Sequence, residues 1–248
     1  MVLSHGYGTN QSVWHYILPA LALYYKVLVY DLAFVGPTRL YNPVKYSSFS
    51  SYARDLTCLL DELNLKETIF VGHSMSAMIG CIAATKRPDL FHHLVLLNGS
   101  PRYLNGTKYN GGFTRAQLDE TFESIRRNYT KWVEHFAPEA IGVDDTNALE
   151  EFESSLLRLQ PRVSLDVAMN VFLKDNRHFL PFVRVGSTII QSKRDIIVPI
   201  TVPFYMKRKL GGSTDVRILN TSGHFPQLSL PYSLVRVIKE ALGINGRY

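Results

Sequence analysis

The run TIFVGHSMSAMIGCIA at residues 68–83 limits the folds open to this chain more than any other stretch. Its first four residues, Thr68, Ile69, Phe70 and Val71, are β-branched or aromatic and read as a short buried strand. Gly72-His73-Ser74-Met75-Ser76 interrupts them, and a small-residue helix follows from Ala77. A strand, a sharp turn and a helix with serine at the apex are the context of a nucleophile elbow. Strand and helix backbones approach closely around such a turn, so the flanking residues must be small. Gly72 and Ser76 meet that demand, although the usual G-x-S-x-G becomes G-H-S-M-S. Taken alone, the pentapeptide also fits an ordinary turn whose serine caps the helix.

Strands and helices alternate around it. Residues 1–4 read as the end of a strand and 11–23 as a helix with Trp14, Ile17, Leu18 and Leu21 on one face. Residues 26–30 (KVLVY) form a continuous apolar strand suited to a buried parallel sheet, and 51–63 form the next helix. Another strand covers 93–97. Between 103 and 182 no strand stands out, and helical segments follow one another at 114–128, 130–136, 146–159 and 163–173. The first opens with a capping box, Thr114 with Gln117. Alternation resumes with a strand at 187–191, a helix at 203–210, a strand at 215–219 and a helix at 233–242. The pattern implies a mostly parallel, helix-covered sheet, with core residues 1–102 and 183–248 and a four-helix lid at 103–182 inserted between strands.

A chain of 248 residues with 46% hydrophobic side chains has material for one large α/β domain. The net charge of +6 raises nucleic acid as a partner. Only Lys207-Arg208-Lys209 forms a basic run, however, and no aromatic-basic stripe accompanies it, so a solvated face is expected. Cys58 and Cys81 lie in apolar helical patterns without metal-ligand spacing and read as buried thiols in a reducing compartment. With no signal peptide or spanning apolar run, the expectation is a soluble intracellular protein without a membrane partner, metal or cofactor.

Chemistry in open α/β sheets gathers at the carboxyl ends of strands. Asp195 follows the strand at 187–191, and His224 follows the strand at 215–219 in Ser222-Gly223-His224-Phe225-Pro226. The order Ser74, Asp195, His224 is that of an α/β-hydrolase triad. A serine hydroxyl needs a neighbouring base, His224 supplies one near neutral pH, and Asp195 fixes the tautomer of that base. The backbone N–H of Met75, directly after the nucleophile, is one expected oxyanion donor. That of Tyr7, in the glycine-flanked loop after the first strand, is the other. His5 is expected to shape that loop, His73, His92, His93, His135 and His178 to be structural or surface groups, and Asp31 to hold a turn.

The segments His5-Gly6-Tyr7-Gly8-Thr9-Asn10-Gln11-Ser12-Val13-Trp14, Phe70 through Gly80, Ser100-Pro101-Arg102-Tyr103 and Gly223-His224-Phe225-Pro226-Gln227-Leu228-Ser229 resemble the plant karrikin and strigolactone receptors. Gly111-Gly112-Phe113 and Phe136-Ala137-Pro138 agree, and the similarity spans nearly the whole chain, closer to the karrikin branch. The resemblance implies a monomeric serine hydrolase, cytoplasmic and nuclear, that receives a butenolide signal and hydrolyses it slowly. It implies two protein partners, an F-box leucine-rich-repeat protein and Clp-ATPase-like repressors. It also implies a pocket lined by Tyr7, Tyr103, Phe113, Thr121, Trp132, Phe136, Phe152, Phe172 and Ile197. Packing within the lid is the plainer reading of those aromatics. The family usually has phenylalanine at 7, a larger apolar residue at 121 and a small one at 197, so Ile197 should narrow the pocket and Thr121 widen or polarise it. The loop at 32–43 is divergent and short, and the family's opening hairpin strands have no counterpart here. Two other readings stay open: a small-ester hydrolase without signalling, and a non-catalytic ligand-binding module.

Overall fold

Parallel pairing buries both faces of a sheet, and the most apolar runs of this chain form its centre. The computed structural model describes residues 1–37 and 41–244; part of the loop at 32–43 and the last four residues of the expected core lie outside them. One six-stranded sheet runs in the order β2-β1-β3-β4-β5-β6. Its strands are β1 (Val2–Ser4), β2 (Leu28–Tyr30), β3 (Thr68–His73), β4 (Phe91–Leu97), β5 (Ser187–Arg194) and β6 (Thr214–Ser222). Every pairing is parallel. The sheet is the parallel, helix-covered one expected from the alternation. The interior strands β3 and β4 are nearly all buried, whereas the edge strand β6 exposes polar and charged residues such as Arg217.

The core helices are α1 (Leu18–Ala22), α2 (Phe49–Glu62), α3 (Met75–Lys86), α8 (Thr201–Lys209), α9 (Pro226–Ser229) and α10 (Pro231–Ala241). α3 is apolar all round because it is buried all round, with each residue from Met75 to Ala84 inside. Between β4 and β5 stand α4 (Arg115–Arg127), α5 (Tyr129–Ile141), α6 (Thr146–Leu157) and α7 (Pro161–Leu173), α5 packing on α6 and α4 on α7. The capping box of Thr114 and Gln117 is formed.

Three expectations need correction. The helix at 11–23 is two pieces, a 3₁₀ turn at Gln11–Trp14 and then α1. Pro19 has no N–H to donate to the His15 carbonyl, and its ring crowds that carbonyl, so the periodic apolar face could not become one helix. The helix expected to stop at 136 continues through Pro138 to Ile141 and ends on left-handed Gly142. Burial of Ala137, Ala140 and Ile141 outweighs the one hydrogen bond Pro138 cannot donate. Cys81 is buried, and burial pushes its thiol up to about 12, but Cys58 is exposed on the outer face of α2.

Candidate active site

The turn from β3 into α3 holds Ser74 at φ 57° and ψ −121°, a conformation that non-glycine residues adopt only under strain. Its N–H donates to the Leu97 carbonyl of β4 at 2.9 Å, which keeps the turn in place. Small neighbours make the turn possible. A Cβ on Gly72 would stand 2.6 Å from the carbonyl of Ser76, and one on Gly6 would stand 2.9 Å from Ser74 Cβ. Ser76 does more than stay small. Its hydroxyl donates to the His5 carbonyl and accepts from Ser4 Oγ at 2.9 Å, while Ser4 meets the Tyr30 hydroxyl at 2.8 Å. The last residues of β1 and β2, the loop after β1 and the start of α3 are thus stitched together.

The loops after β3, β5 and β6 bring Ser74, Asp195 and His224 together. His224 Nδ1–H donates to Asp195 Oδ2 at 2.8 Å, which leaves Nε2 to accept from Ser74 Oγ at 2.9 Å. The side chains of His224 and Asp195 are almost wholly buried. Asp195 Oδ1 accepts from the N–H groups of Ile197 and Val198 at 2.8 and 3.2 Å. Its Oδ2 accepts from Asn98 at 2.9 Å and Gln191 at 3.2 Å. The His224 backbone is held at both ends: its N–H donates to the Ala140 carbonyl at 2.7 Å, and its carbonyl accepts from His73 Nε2 at 2.8 Å. The first of these uses a last-turn carbonyl of α5, a group that lacks an intrahelical partner.

Met75 opens α3, where a backbone N–H has no intrahelical acceptor, and Tyr7 lies in the loop after β1. That loop is braced by His5, whose Nδ1–H donates to the Gly6 carbonyl at 2.9 Å while Nε2 accepts from the Leu32 N–H at 2.9 Å. Asp31 does not hold a local turn as expected: it accepts from the backbone and side chain of Gln11 at 2.7 and 3.1 Å, so it fixes the start of the 3₁₀ turn twenty residues earlier in the chain.

Under the lid lies a cavity of about 10 Å³, room for the centre of one water molecule. Of the residues expected to line it, Tyr7, Tyr103, Phe136, Phe152, Phe172 and Ile197 do so beside Ser74 and His224. The Tyr103 hydroxyl stands 3.3 Å from Ser74 Oγ. Burial pushes the phenols of Tyr7 and Tyr103 above their ordinary value, so both keep their protons near neutral pH. Three expected residues do not line the cavity. Phe113 packs edge-on behind Phe172, Trp132 stacks behind Phe136 at 4.9 Å, and Thr121 turns its hydroxyl to the Gln117 carbonyl. Helical spacing says which residues share a face but not which of two aromatic layers meets the cavity.

Sequence reasoning missed Val171 and Phe225 in the wall, and Asn98 and Gln191 behind Asp195. The one available signal for Asn98 was its place at the end of a buried strand. Among the described residues no group of side chains could hold a metal ion, and no helix is long and apolar enough to cross a membrane.

The model of the alpha/beta hydrolase fold family matches residues 1–166. The karrikin insensitive 2 receptor CA of Petunia hybrida is 44% identical over 241 residues, covering 96% of this chain and 89% of that protein. The strigolactone esterase D14 of Arabidopsis thaliana is 41% identical over 244 residues, covering 98% and 91%. Among solved structures, a hydrolase from Oleispira antarctica superposes with a TM-score of 0.92 at 26% identity, covering 98% of this chain and 90% of its own. The chain belongs to the α/β-hydrolase family and, within it, to the plant group of D14 and karrikin insensitive 2 proteins.

Proposed function

We propose that this protein is a serine hydrolase that serves as a receptor for butenolide signals. The observation that carries the reading is the hydrogen-bonded series from Ser74 through His224 to Asp195 beneath an aromatic lid. Relatives named as karrikin receptors and strigolactone esterases support the ligand class.

In this mechanism Ser74 Oγ attacks the carbonyl of the butenolide ring while His224 Nε2 takes its proton. The Asp195 carboxylate holds the imidazole in the productive tautomer and stabilises the imidazolium. The N–H groups of Tyr7 and Met75 receive the negative charge that develops on the carbonyl oxygen. The ring C–O bond then breaks, His224 returns the proton to the leaving oxygen, and an acyl-serine remains. Water, activated by the same histidine, releases it. Turnover in this reading is slow, and movement of the lid rather than the product carries the signal. The protein partners are an F-box leucine-rich-repeat protein and Clp-ATPase-like repressors, met in the cytoplasm and nucleus.

Ser74→Ala removes the nucleophile and is expected to abolish hydrolysis of a fluorogenic butenolide while leaving the melting temperature near that of the parent. Full hydrolysis by that variant would falsify the catalytic assignment. Fast multiple turnover on simple esters, with no ligand-dependent capture of an F-box partner, would favour a metabolic esterase instead.

A further inference from the structure

Tyr7 and Ile197 wall the cavity on the core side, and Phe136, Phe152, Val171 and Phe172 wall it on the lid side. A space that admits one water is smaller than any lactone ring, so a ligand enters only where lid and core part. Tyr7 crosses that seam. Its hydroxyl meets Ser164 Oγ on α7 at 2.6 Å, and both side chains are buried. Within the lid, the Tyr129 hydroxyl of α5 donates to the Leu156 carbonyl at the end of α6 at 2.6 Å. The Tyr7–Ser164 bond therefore ties the loop after β1 to the lid helix α7. Parting Tyr7 from Ser164 leaves a hydroxyl unmatched away from water.

A phenylalanine at position 7 would fill the same ring volume without holding Ser164. Other bonds cross the seam away from the cavity wall, Asn10 to Ser155 at 3.2 Å and Asn170 to the Tyr46 carbonyl at 2.7 Å. These keep the lid attached when the Tyr7 bond is lost, so the effect of that bond falls on the width of the cavity. We propose that Tyr7 is a specificity-determining residue whose hydroxyl, bonded to Ser164, clamps lid to core and selects compact ligands over bulky ones. The proposal rests on the reading of this cavity as the hydrolytic site.

Tyr7→Phe, Ser164→Ala and the double variant test it, with kcat and KM measured on p-nitrophenyl acetate and p-nitrophenyl octanoate. Losing one buried hydrogen bond corresponds to about a three- to tenfold change. Each single variant is expected to lower KM for the octanoate by that factor relative to the acetate. The double variant should go no further, because both changes cut the same bond. Binding is read separately in a Ser74→Ala background from the quenching of tryptophan emission, since Trp132 stacks on the cavity-wall residue Phe136. There γ-decanolactone should bind more tightly in the Tyr7→Phe variant, and γ-butyrolactone should not. Equal losses for both lactones would make Tyr7 a direct ligand contact, and no change for either, or additive single variants, would leave no clamp; each overturns the proposal. If the lactones discriminate as expected but the parent hydrolyses neither ester, the hydrolytic reading fails while the clamp stands.

Discussion

At the scale of single residues, the site depends on side chains that never touch a reacting atom. Asn98 has φ 46° at the end of β4, and from there its amide reaches Ser192 Oγ at 3.0 Å and Asp195 Oδ2 at 2.9 Å. It acts through Asp195, as a positioning residue. Asn98→Ala leaves a buried carboxylate oxygen short of a donor, which costs about 1–3 kcal/mol. If the loss falls on the transition state, kcat drops about tenfold to hundredfold with KM little changed. Steady-state kinetics on a fluorogenic butenolide would check it, and an unchanged kcat would remove Asn98 from the account. His73 supports the other member of the pair, since its Nε2–H bonds the His224 carbonyl and its ring lies 4.9 Å from the His224 imidazole.

At the scale of elements, the turn from β3 into α3 is where the departure from the common pentapeptide acquires a purpose. Ser76 ties α3 to the His5 carbonyl and to Ser4, so it anchors the loop that carries Tyr7. Ser76→Ala keeps the turn small but strands those partners in a buried site, and about 1–3 kcal/mol of stability should go with them. A urea titration measures the loss; a midpoint equal to that of the parent would mean the hydroxyl is incidental. The two ends of the helical insertion are joined by Asp175, just after α7, which pairs with Arg102 at 2.5 Å and with its neighbour Arg177 at 2.6 Å. The helix α5 contributes at a distance from its own packing, because its run through Pro138 delivers the Ala140 carbonyl to the His224 N–H.

At the scale of the whole molecule, two buried histidines set the response to acid. Burial holds His5 down at about 4, although its bond to the Gly6 carbonyl and the nearby Asp31 pull the other way. Burial also holds His73 well below its ordinary value, with His224 adding repulsion. In the unfolded chain both take up a proton near pH 6.5, so between that pH and about 4 the unfolded state binds more protons. Stability is therefore full above 6.5 and falls as pH drops, His5 alone removing about 3 kcal/mol by pH 4. Urea midpoints at pH 7.5 and 5.0 should differ in that direction. Equal midpoints would show that these histidines are not buried as described. The alternating elements, the elbow at Ser74 and the chain order of Asp195 and His224 are legible along the chain, because hydrophobic period, turn chemistry and strand ends are local properties. Packing alone settles which aromatic layer faces the cavity, that Cys58 is exposed, and that Asn98 and Gln191 hold Asp195. Those facts depend on contacts between residues far apart in the chain, whose geometry is set by how sheet and lid pack and not by any pattern within a segment.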